Sequence, residues 1–240
     1  MTTVTATMVG VTRLTLRHDE AAYLAGHLRR LSTWEPEAAV RVRVAGSTLG
    51  IFGLPPLDCV SFVAVPLATT EGVEASVGGV GVVDEVVSAG RLRDVIGDVS
   101  PSSGGAPRTI RLPDSLGPVA GLAVLPPSGP WLPAERGIAG DVRPIVAEGV
   151  REFREGNEAL PQPSAAALDA LAQEVWSRPG WGGVPLRALH AANVLGMLPH
   201  DGLRIETATC EGWKRLLTPV GQVFVRSTGL PPRLSLAVLR

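Results

Sequence analysis

Strict alternation of apolar and charged residues marks the first strands of this chain. The run AVRVRVAG, which starts at Ala39, alternates small apolar residues with arginine, and the runs STLGIFG and DCVSFVAVPLA that follow are rich in β-branched and aromatic residues. Successive side chains of a strand point to opposite faces, so this pattern is typical of a sheet with one buried face. The sequence therefore predicts consecutive strands between residues 39 and 68, preceded by an extended run at 9–16.

A helical pattern separates that first extended run from the strands. Apolar residues recur at intervals of three and four from Ala21 to Leu31, and Asp19 is a candidate N-cap for this helix. The same order returns in VVDEVVSAGRLRDVIGDV, where an extended run from Val82 leads into a helix that Ser88 can cap. The first half thus repeats the order strand, helix, strands.

A segment rich in proline and glycine connects the two halves. Strands are predicted at 108–113 and 117–126, and the segment PPSGPWLPAERGIAG at 126–140 is predicted to be a loop. This loop is the candidate boundary between a domain at 1–135 and a smaller α+β domain at 136–240.

The residue pattern of the second half predicts strands and helices in a different order. DVRPIVAEGVREF at 141–153 is predicted to be a strand, and SAAALDALAQEVW a helix capped by Ser164. The run RALHAANVLGML at 187–198 is apolar around its circumference, which predicts a buried helix. Antiparallel strands are predicted at 202–227, with a last edge strand at 233–239.

Strands that follow one another without a helix between them define the fold class. A doubly wound parallel sheet needs a helix after every strand. The order found here instead predicts an α+β fold of antiparallel sheets, with single helices packed on one face.

Composition limits the functions that are compatible with this fold. The 240 residues are 45% apolar, enough to bury a core, and 22 basic residues balance 23 acidic ones, so any electrostatic role must be local. Lys214 is the only lysine, which indicates a GC-rich bacterial genome such as an actinobacterial one; selection of arginine for bidentate contacts is the alternative. Isolated Cys59 and Cys210, with no membrane-length apolar run, predict a cytoplasmic protein without disulfides or membrane spans.

Motifs that would identify an enzyme are missing from the sequence. It contains neither G-x-S-x-G nor a Walker loop, and the glycines at Gly78–Gly81 precede a strand rather than open a helix, which favours a simple turn. The four histidines lack metal-ligand spacing, His190 and Cys59 are predicted to be core residues, and Asp84 with Glu85 a solvated edge. We therefore predict no catalytic residue, no metal and no cofactor.

Arginines on the predicted helices form the one surface pattern with a functional interpretation. The first helix carries His27, Arg29 and Arg30 opposite its apolar stripe, the second carries Arg91 and Arg93, and Arg187 begins the last. On one common face they would neutralise phosphates without reading bases. The competing interpretation is that they are ordinary solvated residues.

In its order of elements the first part of the chain resembles one domain of a DNA sliding clamp. The order is strand (VTRLTL), helix (DEAAYLAGHLRRL) and strands, then strand (VVDEVV), helix (SAGRLRDVIGDV) and strands. In that family, helices with basic residues line a central hole, while the sheets form the outside and the subunit contacts. The resemblance implies that Arg29, Arg30, Arg91 and Arg93 would face DNA.

The sequence supports three hypotheses for the function. The leading one is a non-enzymatic binding or assembly module with a clamp-like N-terminal domain, which contacts DNA without sequence specificity and self-associates into a homo-oligomer. The second is a protein-binding chaperone or accessory factor of an actinobacterial-type system, in which Trp176, Trp181 and Trp213 hold a protein partner. The third is an enzyme whose site is assembled from distant residues.

Overall fold

Strands in two antiparallel sheets form the framework of the protein, in a computed structural model that describes residues 13–71, 83–99, 105–160 and 164–227. The strands are β1 (Arg13–Leu16), β2 (Ala39–Ala45), β3 (Thr48–Gly53), β4 (Val60–Pro66), β5 (Thr69–Glu71), β6 (Val83–Ser88), β7 (Arg108–Arg111), β8 (Leu132–Ile138), β9 (Arg204–Cys210), β10 (Trp213–Thr218) and β11 (Gly221–Arg226). The helices are α1 (His18–Trp34), α2 (Ala89–Ile96), α3 (Ala120–Ala123), α4 (Ala139–Ala159), α5 (Ala165–Trp176) and α6 (Leu186–Val194), with a 3-10 turn at Trp181–Gly183.

The two halves of the larger sheet have matching strand orders, each with one strand at the edge and a three-stranded meander inside it. Its eight strands lie in the order β6-β2-β3-β4-β11-β10-β9-β8, so an outer strand and a three-stranded meander come from each half of the chain. The two meanders join where β4 pairs antiparallel with β11, with Phe62 opposite Gln222. One sheet therefore runs through both halves. The predicted boundary between 1–135 and 136–240 falls inside β8 and stays a prediction.

The alternation that predicted β2 also sets the two faces of this sheet. Val40, Val42 and Val44 are fully buried on the face that the helices cover. Arg41 and Arg43 point to the other face, which we call the outer face. The pairing of β2 with β6 places Arg43 opposite Asp84, so the register brings opposite charges together on the outer face.

One hydrophobic core fills the space between the large sheet and the helices. Leu24 and Leu28 of α1, Leu92 of α2, Leu189 of α6 and Val223 of β11 are each at most 1% exposed and belong to one contiguous cluster. Burial of each such side chain stabilises the fold by about 1.5–3 kcal/mol. Within the described residues, both halves of the chain thus contribute to one core.

Most of the predicted elements are confirmed. The fold is α+β with antiparallel sheets, and the strands of both meanders lie where the alternation predicted them. Two predicted caps are present: the Arg91 N–H donates to Ser88 Oγ at 3.3 Å, and the Ala167 N–H donates to Ser164 Oγ at 3.2 Å. The predicted cap Asp19 lies instead inside the first turn of α1, where its charge favours the helix dipole.

The strand predicted at 141–153 is wrong, because these residues belong to α4. Val142, Val146, Gly149 and Phe153 are buried at intervals of four, three and four, as one face of a helix requires. Pro144 inside the helix costs about 3 kcal/mol. Burial of the two valines and the phenylalanine contributes about 1.5–3 kcal/mol each, so the helix is favoured despite the proline.

The segment between the halves also differs from its prediction. Residues 117–126 form no strand: α3 covers Ala120–Ala123, and Leu122 is buried while Val124 is 55% exposed. The loop predicted at 126–140 contains β8, which pairs with β9 through a register shift between Pro133 and Glu135. The glycine turn at Gly78–Gly81 and the edge strand at 233–239 lie outside the described residues.

Candidate functional site

Helices α1 and α2 pack side by side and antiparallel, which brings three of the predicted arginines to the same end of the pair. The Ala89 N–H, at the start of α2, donates to the carbonyl of Ala38 at 2.9 Å, just beyond the end of α1. At the other end, Arg108 Nη1 donates to the Ile96 carbonyl of α2 at 2.8 Å, and Arg108 pairs with Leu16, which precedes α1. Arg91 in the first turn of α2 therefore lies beside the end of α1 that carries Arg29 and Arg30.

The four predicted arginines differ in how far their charge is neutralised. Arg29, Arg30 and Arg91 are exposed, and no carboxylate of the described residues forms an ion pair with them. Arg93 Nη2 lies 2.7 Å from Asp94 Oδ1, so an adjacent carboxylate neutralises its charge. We call Arg29, Arg30 and Arg91 the open arginines.

Arg30 also contacts the second half of the chain. A Cβ built on Gly196 would lie 2.8 Å from Arg30 Cζ, and Gly196 has a φ of +73°, a conformation that glycine adopts without strain. Gly196 follows α6, whose last carbonyls carry the negative end of the helix dipole. The guanidinium of Arg30 is therefore held where the two halves meet, with part of its surface in solvent.

Two other basic residues of the predicted pattern do not belong to this surface. His27 is 2% exposed rather than opposite the apolar stripe, and burial together with the nearby charge of Arg30 lowers its pKa to about 4. Arg187 is 6% exposed, and its Nη1 donates to Ser177 Oγ at 3.5 Å. Both predictions of surface exposure are wrong: the packed face of α1 extends to His27, and Arg187 is buried together with the rest of the first turn of α6.

Three arginines on the outer face of the sheet, Arg41, Arg43 and Arg215, are bound to partners. Arg41 makes a bidentate ion pair with Asp84, with Nε–Oδ1 at 2.5 Å and Nη2–Oδ2 at 2.8 Å. The hydrogen bond from Arg41 lowers the pKa of Asp84. Arg43 Nε lies 3.4 Å from the same carboxylate. Arg215 lies 4.6 Å above the ring of Trp131. Asp84, predicted to be solvated, therefore anchors Arg41 and Arg43.

The three tryptophans of the partner-binding hypothesis lie in separate surroundings. Trp176 is 2% exposed in the main core, stacked on His190 with 4.5 Å between the ring centroids. Trp213 is 9% exposed in a small apolar cluster on the outer face. Trp181 is half-buried in the 3-10 turn. The structure does not bring them together as one exposed surface.

Sequence reasoning missed a groove along α4, because residues 141–153 were predicted to be a strand. This α4 groove has a volume of about 610 Å³ and is lined by Gly140, Arg143, Val150, Arg151, Arg154 and Asn193, among others. The spacing of Val142, Val146, Gly149 and Phe153 was the signal in the sequence for a helix here. A helix with these residues on its buried face would have placed the arginines of the groove away from that face.

The structure also bears on the predictions for Cys59, for metal ligands and for membrane spans. Cys59 is 2% exposed, its thiol donates to the Leu57 carbonyl at 3.3 Å, and burial raises its pKa to about 12, which confirms it as a core residue. Among the described residues, no three His, Cys, Asp or Glu side chains converge as a metal site would require. None of the helices in the described ranges has the length and apolarity needed to cross a bilayer.

Two family models match separate parts of the chain. Residues 10–111 match a domain of unknown function, DUF8010, and residues 126–230 match a second domain of unknown function, DUF8185. No curated protein matches the sequence.

Solved structures of bacterial sliding clamps are similar to this chain in fold. The DNA polymerase sliding clamp from Pseudomonas aeruginosa is 12% identical over 92% of this chain and 65% of the clamp, with a TM-score of 0.48. The beta clamp of Helicobacter pylori is 10% identical over 89% of this chain and 64% of the clamp, with a TM-score of 0.49. The chain thus spans just under two thirds of the length of these clamps. The likeness concerns the fold alone, and at that level the resemblance predicted from the sequence is confirmed.

Proposed function

We propose that this chain is a non-enzymatic binding protein whose α1–α2 surface contacts the phosphate backbone of DNA through the open arginines. One observation supports the proposal above all: Arg29, Arg30 and Arg91 form no ion pair with the described residues and lie at one end of a helix pair, whereas Arg41 and Arg43 on the outer face share a carboxylate. Guanidinium groups without a carboxylate partner in the protein are available to a ligand with negative charge.

The chemistry of these groups favours phosphate as that ligand. A guanidinium presents a planar fork of donors that matches two phosphate oxygens, and it stays charged at any physiological pH. Contacts of this kind position a duplex without reading its bases. The formal net charge of −1 gives no general attraction to DNA, so the contact would be local to this end of the helix pair.

The proposal also includes a role for Arg93, a cellular location and an oligomeric state. Arg93 would contribute less than the open arginines, because a phosphate would first have to replace Asp94 in its exposed ion pair. A bacterial cytoplasmic location and a homo-oligomeric state belong to the same proposal.

Reversing two of these charges is expected to weaken duplex binding by about tenfold or more. The change is Arg29→Glu with Arg91→Glu, which replaces two attractive contacts by two repulsive ones. The measurement is fluorescence anisotropy of a labelled duplex of about 30 base pairs at about 50 mM salt. Arg30→Glu, which also alters the contact with Gly196, serves as a second variant.

Arg204→Glu provides the matched control. Arg204 is exposed on the outer face at the start of β9, so the substitution changes net charge by as much as Arg30→Glu and by half as much as the double variant, on the other side of the sheet. Affinity is expected to stay within about twofold of the unmodified protein. Equal losses in the control and in the α1–α2 variants would reject the proposed surface.

A further inference from the structure

The α4 groove carries charges that the proposed DNA surface does not use. It follows one side of α4 from Gly140 to Arg154, a length of about 21 Å at the rise of an α-helix. Its lining contains three arginines, Arg143, Arg151 and Arg154, against one acidic residue, Asp201. The lining therefore has an excess of positive charge, although the protein as a whole has almost none.

These arginines are available to a ligand carboxylate. Arg154 forms no ion pair with the described residues. Arg143 Nη1 lies 2.8 Å from Asp201 Oδ1, and both side chains of this pair are well exposed, at 43% and 74%. Exposed ion pairs contribute about 0–1 kcal/mol, so exchanging Asp201 for the carboxylate of a ligand costs little. The same holds for Arg151, whose carboxylate partners Glu148 and Glu155 are also exposed.

The floor of the groove suits a polypeptide better than a nucleic acid. The exposed Ala147 and the half-buried Val150 give it an apolar base that can take aliphatic side chains, with the buried Val146 beneath them. Pro144 has no N–H and so cannot donate to the carbonyl of Gly140, as the residue at that position of a helix normally does. Both residues line the groove, as does the exposed amide of Asn193. A backbone N–H can use the carbonyl acceptor, whereas a phosphate cannot.

We propose that the α4 groove binds an extended acidic segment of a partner protein, with carboxylates on its arginines and aliphatic side chains on its apolar floor. In an extended chain, alternate side chains point in opposite directions, which matches an arginine rim above a valine floor. The length of the groove accommodates about six or seven extended residues. This function is separate from the DNA contact on α1 and α2, and neither requires the other.

The test uses a fluorescein-labelled peptide of about seven residues that alternates glutamate and leucine. We expect saturable binding to the full chain, at least about tenfold tighter than that of the same peptide with glutamine in place of glutamate. Arg151→Gln with Arg154→Gln is expected to weaken binding by about tenfold, since it removes two guanidinium groups and keeps helix propensity. Thermal melting of the variant checks that it is folded.

Arg29→Gln with Arg30→Gln is the matched control, because it removes the same charge from α1. It is expected to leave peptide affinity within about twofold. The proposal is overturned if the glutamate peptide shows no saturable binding, if the glutamine peptide binds equally well, or if the α4 variant has no effect. Displacement of the peptide by duplex DNA would also overturn it and would assign the groove to the nucleic-acid surface. Duplex binding, measured separately on the α1 variant, distinguishes failure of the peptide proposal from failure of the DNA proposal.

Discussion

Replacing Trp176 by alanine is expected to lower the free energy of unfolding by about 3–5 kcal/mol. The indole is 2% exposed, stacks on His190 at an interplanar angle of 16° and lies 5.7 Å from the ring of Phe153 between centroids. Its Nε1 has no hydrogen-bond partner among the described residues, so the loss would be one of packing. Urea denaturation followed by circular dichroism measures the change.

Trp181→Ala is the control for this substitution. Trp181 is half-buried in the 3-10 turn and packs against the rim of the core, so its removal is expected to cost about 2 kcal/mol or less. A Trp176→Ala protein within about 1 kcal/mol of the unmodified chain would contradict a core in which α4, α5 and α6 meet around this ring.

Mild acid is expected to destabilise the protein through the buried His27 and the half-buried His190. Burial lowers the pKa of both His27 and His190 to about 4, from the ordinary value of 6.5, and the charge of Arg30 acts in the same direction on His27. Between these values the unfolded chain binds more protons than the folded one, so stability is complete above about pH 6.5 and falls as the pH drops toward 4. Between pH 7.5 and 5 the expected loss is about 2 kcal/mol for each histidine.

Substitution of one histidine separates this effect from general acid sensitivity. His27→Gln is expected to remove about half of the difference in unfolding free energy between pH 7.5 and 5, whatever its own effect on stability. His190→Gln is expected to remove a similar share of the difference. Equal stability of the unmodified protein at pH 7.5 and 5 would contradict an effect of these two histidines.

Local patterns predicted the meanders well, because each strand carries its own alternation. Val40, Val42 and Val44 against Arg41 and Arg43 define a face without reference to any other part of the chain. The helix at 139–159 was missed because Pro144 and Gly149 weaken helix propensity locally, and the helix forms through contacts that only the folded chain makes. Gly149 has such a contact: a Cβ on it would lie 2.6 Å from Leu186 Cδ2.

The candidate site could be predicted only in part, for a similar reason. The sequence indicates that Arg29, Arg30 and Arg91 lie on helices, but the antiparallel packing that brings them to one end depends on β1 and β7, which pair across a long stretch of chain. Neither the contact of Arg30 with Gly196 nor the pairing of Arg41 with Asp84 has a local signal. Which arginines are open to a ligand is thus a tertiary property.

The salt dependence of duplex binding tests the central claim most directly. Each phosphate neutralised by an arginine adds about −0.9 to the slope of log K against log salt concentration, so contacts from Arg29, Arg30 and Arg91 predict a slope of about −3. Arg29→Gln with Arg30→Gln should make that slope shallower by about 2, while Arg204→Gln should leave it unchanged. A slope near zero, or the same slope in all three proteins, would contradict a DNA contact through the α1–α2 surface.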